Sequence, residues 1–139
     1  MKIMGNGKGM TLIWGCIAVA AVFFTLRLSV GGGAESVSVE EAKQLLAQGR
    51  AVLVDVREKD EVDAGMLKGA TWLPLSGLQS GDTEVMKNLE SLGKTREILA
   101  YCRSGARSGR AAGILIAKGF KVRNLGGYES AKAGGLPSQ

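Results

Sequence analysis

The chain has 139 residues, 45% of them hydrophobic and 22% charged, enough for one membrane segment and one small domain. The absence of histidine excludes Cys–His dyads, Ser–His–Asp triads and every histidine-ligated metal site, and two cysteines, Cys16 and Cys102, are too few for a zinc ribbon or a disulfide framework. The net charge of +5 is uneven: residues 35–98 carry eight basic and twelve acidic side chains, whereas residues 99–139 carry seven basic and one acidic. No aromatic-interleaved basic stripe accompanies that basic half, which argues for small anions and against nucleic acid.

Residues 1–9 form a basic n-region with Lys2 and Lys8. Met10 to Leu26 carries no charge, and Arg27 can snorkel to an interface and extend the apolar span to Val30. Residues 10–30 are expected to be a transmembrane signal anchor. The charge bias places the N-terminus in the cytoplasm and the rest outside a bacterial inner membrane, facing the periplasm. The competing reading is a signal peptide cut near Gly32-Gly33-Ala34, which would free the domain into the periplasm. Residues 31–37 read as a flexible linker, and residues 38–139 as one domain.

Within the domain, Ser38 and Glu41 form a capping box that opens a helix to about Gln48, stopped by Gly49. Ala51 to Val54 is a short apolar run, read as a buried parallel strand ending at Asp55. A short helix is expected over 58–64, a strand into a turn over 70–74, and a helix capped by Asp82 and running to Ser91. Glu97 to Tyr101 is the next strand. A tight loop follows at Cys102, then a helix to Lys118, a strand from Val122 to Leu125, a Gly126-Gly127 turn and a last helical turn over 129–133. Strands alternating with helices predict an α/β fold with a parallel sheet flanked by helices.

The most informative stretch is Cys102-Arg103-Ser104-Gly105-Ala106-Arg107. A strand delivers Cys102 into a loop that opens onto a helix N-terminus, where backbone N–H groups converge on one anion. Those amides, the helix dipole and the two flanking arginines are expected to hold the thiol pKa below its ordinary value of about 8.5, favouring the reactive thiolate. Asp55 and Arg57 read as a structural pair at the sheet edge. Glu58, Asp60, Glu61 and Asp63 read as a solvated face rather than a metal site, and no cofactor or metal is expected. Trp72 reads as core.

Three stretches resemble the single-domain rhodaneses, a family of sulfurtransferases. Asp55-Val56-Arg57-Glu58, followed by Glu61 and then Gly65-Met66-Leu67-Lys68-Gly69-Ala70, resembles the family's first signature. Cys102 to Ser108 resembles its active-site loop, and Leu125-Gly126-Gly127 with Ala133-Gly134-Gly135-Leu136-Pro137 its C-terminal signature. Met66 stands where the family usually has histidine, and Ala131 where it usually has tryptophan. The small size and N-terminal segment resemble the phage-shock-protein-E type of periplasmic rhodanese. The resemblance implies sulfur transfer from thiosulfate or a related donor, through a persulfide on Cys102, to a thiol or cyanide. Arg103 would hold an anionic donor, and Arg107 would pair with the loop or the donor. Two other readings compete. A phosphatase on the same fold would have five residues, not four, between cysteine and distal arginine. A non-catalytic, membrane-tethered sulfide or redox sensor or docking module would not require the cysteine.

Overall fold

Ser38 accepts a hydrogen bond from the Glu41 amide at 3.2 Å and starts α1, Val39–Ala47. The computed structural model describes residues 34–139; the basic n-region, the apolar segment 10–30, the expected anchor and Cys16 lie outside the described residues. Among the described residues no helix is long and apolar enough to cross a membrane. After α1 come β1 (Ala51–Asp55), α2 (Lys59–Asp63), β2 (Thr71–Trp72), α3 (Leu75–Ser80), α4 (Thr83–Ser91), β3 (Glu97–Cys102), α5 (Ala106–Ala117), β4 (Val122–Gly127) and α6 (Tyr128–Ala133).

The four strands form one parallel sheet in the order β2-β1-β3-β4. Alternation along the strands sorts the core into two layers. Val54, Ile98, Ala100 and Cys102 face a cluster that includes Leu78 of α3, Val85 and Leu89 of α4, and Ala111, Ala112 and Leu115 of α5. Leu53, Leu99 and Tyr101 face the other, with Ala42 and Leu45 of α1 and Ala131 of α6. β1 and β3 are central, so buried on both faces, which is why each reads as a continuous apolar run. The chain passes from β1 outward to β2 and returns to the other side at β3. The carboxyl ends of β1 and β3 thus flank a switch in winding direction, the place where open α/β sheets hold ligands.

Four expectations need correction. The linker is not wholly free: the amide of Val37 donates to the Asn124 carbonyl at 3.0 Å and that of Asn124 to the Glu35 carbonyl at 2.8 Å. Residues 35–37 thereby cover the open edge of β4, and Val37 is buried. Gly126-Gly127 is not a turn. It ends β4, which runs directly into α6, and the pairing with β3 shifts register between Ala100 and Tyr101 so that Leu125 is bulged out. Trp72 is only half-buried, because its indole N–H reaches the Arg57 carbonyl at 2.8 Å near the protein surface. Asp55 and Arg57 lie not on an edge strand but at the carboxyl end of an interior one.

Candidate active site

The sulfur sits where strand, loop and helix meet. Cys102 is the last residue of β3 and is fully buried. Gly105 is the N-cap of α5 with φ +96°, a conformation that glycine adopts without the Cβ clash other residues suffer. That bend turns the Gly105 amide onto Cys102 Sγ at 3.0 Å. The Ser108 hydroxyl lies 3.5 Å from the sulfur and also 2.7 Å from Asn124 Oδ1. Asn124 donates to the Gly105 carbonyl at 2.9 Å and accepts from the Gly126 amide at 2.9 Å, clamping loop to strand. Gly127 closes the back of the loop: a Cβ there would stand 2.7 Å from the Arg103 carbonyl oxygen, so only glycine fits.

Burial alone would raise the thiol pKa, but hydrogen bonds from the Ser108 hydroxyl and from the Ser108, Ser104 and Gly105 amides outweigh it and leave the pKa below its ordinary value. The sign expected from the sequence therefore holds, and of the causes expected there the loop amides carry it, joined by the Ser108 hydroxyl. Arg107 feels the thiolate charge, yet its guanidinium is gripped by both carboxylate oxygens of Glu61, with Nη2 at 2.7 Å from Oε1. Arg103 is exposed. Iodoacetamide alkylation measured across pH should accordingly reach half its maximal rate below the ordinary thiol pKa of about 8.5. Ser108→Ala should move that midpoint upward, because one donor to the thiolate is lost; an unmoved midpoint would remove Ser108 from the cradle.

On the opposite face of the sheet, Asp55 and Arg57 form a buried pair. Arg57 Nη2 lies 2.7 Å from Asp55 Oδ2 and Nε 3.0 Å from Oδ1, and Nη2 also reaches the Gly65 carbonyl at 2.7 Å. The guanidinium lies 4.1 Å from the Tyr128 ring centroid. The acids of α2 are not simply a solvated face. Glu58 and Glu61 form a capping box, Glu58 accepts from the Ser76 hydroxyl at 2.7 Å, and Arg107 holds the Glu61 carboxyl down at about 2. Asp60 and Asp63 remain exposed. Among the described residues no cluster of acids and cysteines is placed to hold a metal ion.

A family model for the rhodanese-like domain matches residues 38–133. The chain belongs to this family. It is 34% identical over 103 residues to the thiosulfate:glutathione sulfurtransferase of Homo sapiens, covering 68% of this chain and 90% of that protein. Identity to a sulfurtransferase of Allochromatium vinosum is 37% over 101 residues, covering 70% of this chain and 88% of that one. Among solved structures, a human single-domain sulfurtransferase matches with a TM-score of 0.61 at 31% identity, covering 73% of this chain and 97% of the other.

The rhodanese-like fold brings Cys102, Ser104, Gly105, Ala106 and Arg107 together at one loop, and sets Asp55 and Arg57 behind it rather than against the sulfur. Asn124 was not singled out from the sequence, and Ser108 and Glu61 entered there only as members of the family-like stretches, with no role at the sulfur or at Arg107. The two departures from the family pattern are absorbed locally. Met66 exchanges backbone hydrogen bonds with Gln139 at 3.1 and 2.9 Å, fastening the C-terminal residues beside Leu67, and Ala131 is fully buried on the inner side of α6.

Proposed function

We propose that this protein is a rhodanese-type sulfurtransferase that carries sulfane sulfur on Cys102. The single observation behind the proposal is the buried Cys102 Sγ facing the Gly105 amide at 3.0 Å and the Ser108 hydroxyl at 3.5 Å. The Cys102 thiolate attacks the outer sulfur of thiosulfate. An S–S bond to Cys102 forms, the donor's own S–S bond breaks, and its electron pair leaves with sulfite. The persulfide left behind is an anion, and the same loop donors that favour the thiolate suit it. An acceptor nucleophile, a thiolate or cyanide, then takes the outer sulfur and restores the Cys102 thiolate. No oxidant is needed, since sulfur moves formally as a neutral atom. Arg103 is the residue free to meet an anionic donor, as Arg107 is engaged by Glu61. That engagement, with four residues between Cys102 and Arg107, favours a sulfur carrier over a phosphate cup, which needs its distal guanidinium for the substrate. Incubation with thiosulfate should add about 32 Da, one sulfur atom, to Cys102, and dithiothreitol should remove it. A protein that gains no mass under excess thiosulfate is not a thiosulfate-dependent carrier.

We propose further that residues 10–30 anchor the domain in a bacterial inner membrane with the domain in the periplasm. The support is the uncharged run from Met10 to Leu26 with its preceding Lys2 and Lys8. Protease added to intact spheroplasts should digest the domain. Protection until lysis would refute this topology, and release of intact domain without protease would favour signal cleavage.

A further inference from the structure

The strands of a parallel sheet all begin at one end, and in this domain that end is ringed with cations. Arg50 precedes β1, Arg96 precedes β3 and Lys121 precedes β4. The ladder sets them side by side: the Glu97 amide donates to the Arg50 carbonyl at 2.9 Å, and the Ile98 amide to the Lys121 carbonyl at 2.8 Å. Arg50, Arg96 and Lys121 line one groove of about 510 Å³. Lys94 and Lys118 line another, where Lys94 Nζ lies 5.2 Å from the Phe120 ring centroid. All five side chains are exposed, and none has an ion-pair partner among the described residues. Few acids offset them: Glu97 is held by Arg123, which leaves Glu35 and Glu90. Ile116, in the last turn of α5 and so near the same end, is 47% exposed, the one large hydrophobic side chain left so open among the described residues.

The chain also enters the domain at this end. Ser36 pairs with Asn124 in parallel, so two positions earlier Ala34 stands level with Val122, the first residue of β4. Ala34 packs on the core cluster that holds Phe120 and Val122. Val30, the last residue of the expected anchor, is four positions before Ala34, a reach of at most about 14 Å. A segment that leaves a bilayer at residue 30 therefore keeps the basic end close to the headgroups, on the scale of the ~8 Å over which charges act at physiological salt. Cys102 closes the other end of β3, about 17 Å along the strand from Glu97.

We propose that this basic end of the sheet is a docking surface for anionic phospholipid headgroups. The inference rests on the reading of residues 10–30 as a membrane anchor and adds a second, electrostatic contact to it. Arg50, Arg96 and Lys121 meet lipid phosphates on one side, Lys94 and Lys118 on the other, and Ile116 enters the headgroup layer beside them. Neither the anchor nor the cations alone fix the domain's orientation, but together they do. The Cys102 loop, at the opposite end, is turned away from the bilayer toward soluble donors and acceptors.

The test floats full-length protein on phosphatidylcholine vesicles with and without about 30% phosphatidylglycerol, labels lysines with a neutral acylating reagent and reads each site by mass spectrometry. Lys59, which opens α2 directly after β1, and Lys132, which lines a groove with Arg103, report on the opposite end. On the anionic vesicles, labelling of Lys94, Lys118 and Lys121 should fall about threefold or more relative to Lys59 and Lys132, and high salt should restore it. Arg50→Glu with Arg96→Glu, at two exposed positions that leave the reporter lysines in place, should restore it as well. Flotation on both vesicle types with equal labelling on the two overturns the docking surface, leaves the anchor standing and makes an acidic protein the remaining partner for these cations. Flotation on the anionic vesicles alone, with those lysines protected, upholds the surface and refutes the anchor; without that protection it refutes both. Flotation on neither refutes both.

Discussion

Replacing Cys102 with serine should abolish sulfur transfer from thiosulfate, by at least about 10³-fold in turnover, while leaving the domain folded. The hydroxyl is a far weaker nucleophile than the thiolate at neutral pH and forms no persulfide. The Gly105 amide keeps a partner, because the serine oxygen accepts as the sulfur did. The smaller atom at a fully buried position costs about 1 kcal/mol, the scale of removing one methyl-sized group from a core. Thiosulfate turnover and a urea unfolding curve measured on the same preparation separate the two effects. Substantial turnover in Cys102→Ser would overturn the covalent mechanism. Cys16→Ser, outside the domain, should leave both measurements unchanged.

Strands were legible because their burial is written in neighbouring residues. Ala51 to Val54 and Ile98 to Tyr101 are apolar without interruption, as interior parallel strands must be. Helix starts were legible where a side chain caps them, as Ser38 and Asp82 do. The helix α3 was not. Leu75–Ser80 begins behind Pro74, has no side-chain cap and contains Gly77, so neither capping nor periodicity marks it; burial of Leu75 and Leu78 creates it. Gly126-Gly127 looked like a turn because glycine pairs usually are. Here tertiary contact decides instead, since the Arg103 carbonyl occupies the space a Gly127 side chain would need.

At the site, local sequence revealed the thiol and its loop but not the groups that come from elsewhere in the chain. Glu61 meets Arg107 across 46 positions, and Asn124 meets Ser108 across 16, distances over which no spacing rule speaks. Ser108 did leave a signal. The buried residues of α5 are Ser108, Ala111, Ala112 and Leu115, the positions of a single helical stripe. A hydroxyl at the head of an otherwise apolar stripe, six positions after a cysteine, marks a buried polar group with a partner nearby. The arginines drew attention through their charge, yet the thiolate's stabilisation comes mainly from short-range donors, which act at hydrogen-bond distance without the flexibility of a long side chain.

The same reasoning predicts the largest loss of stability at Asp55. Its carboxylate is fully buried and accepts from Arg57 Nε and Nη2 and from the Arg57 amide at 3.0 Å. Asp55→Ala would leave a guanidinium that is 6% exposed with the Gly65 carbonyl and two tyrosine rings as its only company. Removing one partner of a buried ion pair costs about 3–5 kcal/mol, whereas a whole domain holds about 5–15 kcal/mol in reserve. The urea midpoint should therefore fall steeply, with the slope of the transition unchanged. Replacing both partners tests the cause: Asp55→Ala with Arg57→Met removes the stranded charge and should recover much of the loss, since apolar substitutes for a buried pair are often close to neutral. If Asp55→Ala alone lowers stability by less than about 1 kcal/mol, the pair does not hold the carboxyl end of β1 in place. Persulfide formation in the folded fraction of Asp55→Ala should persist, because the pair bonds only within itself and to the Gly65 carbonyl, on the face of the sheet away from the Cys102 side chain.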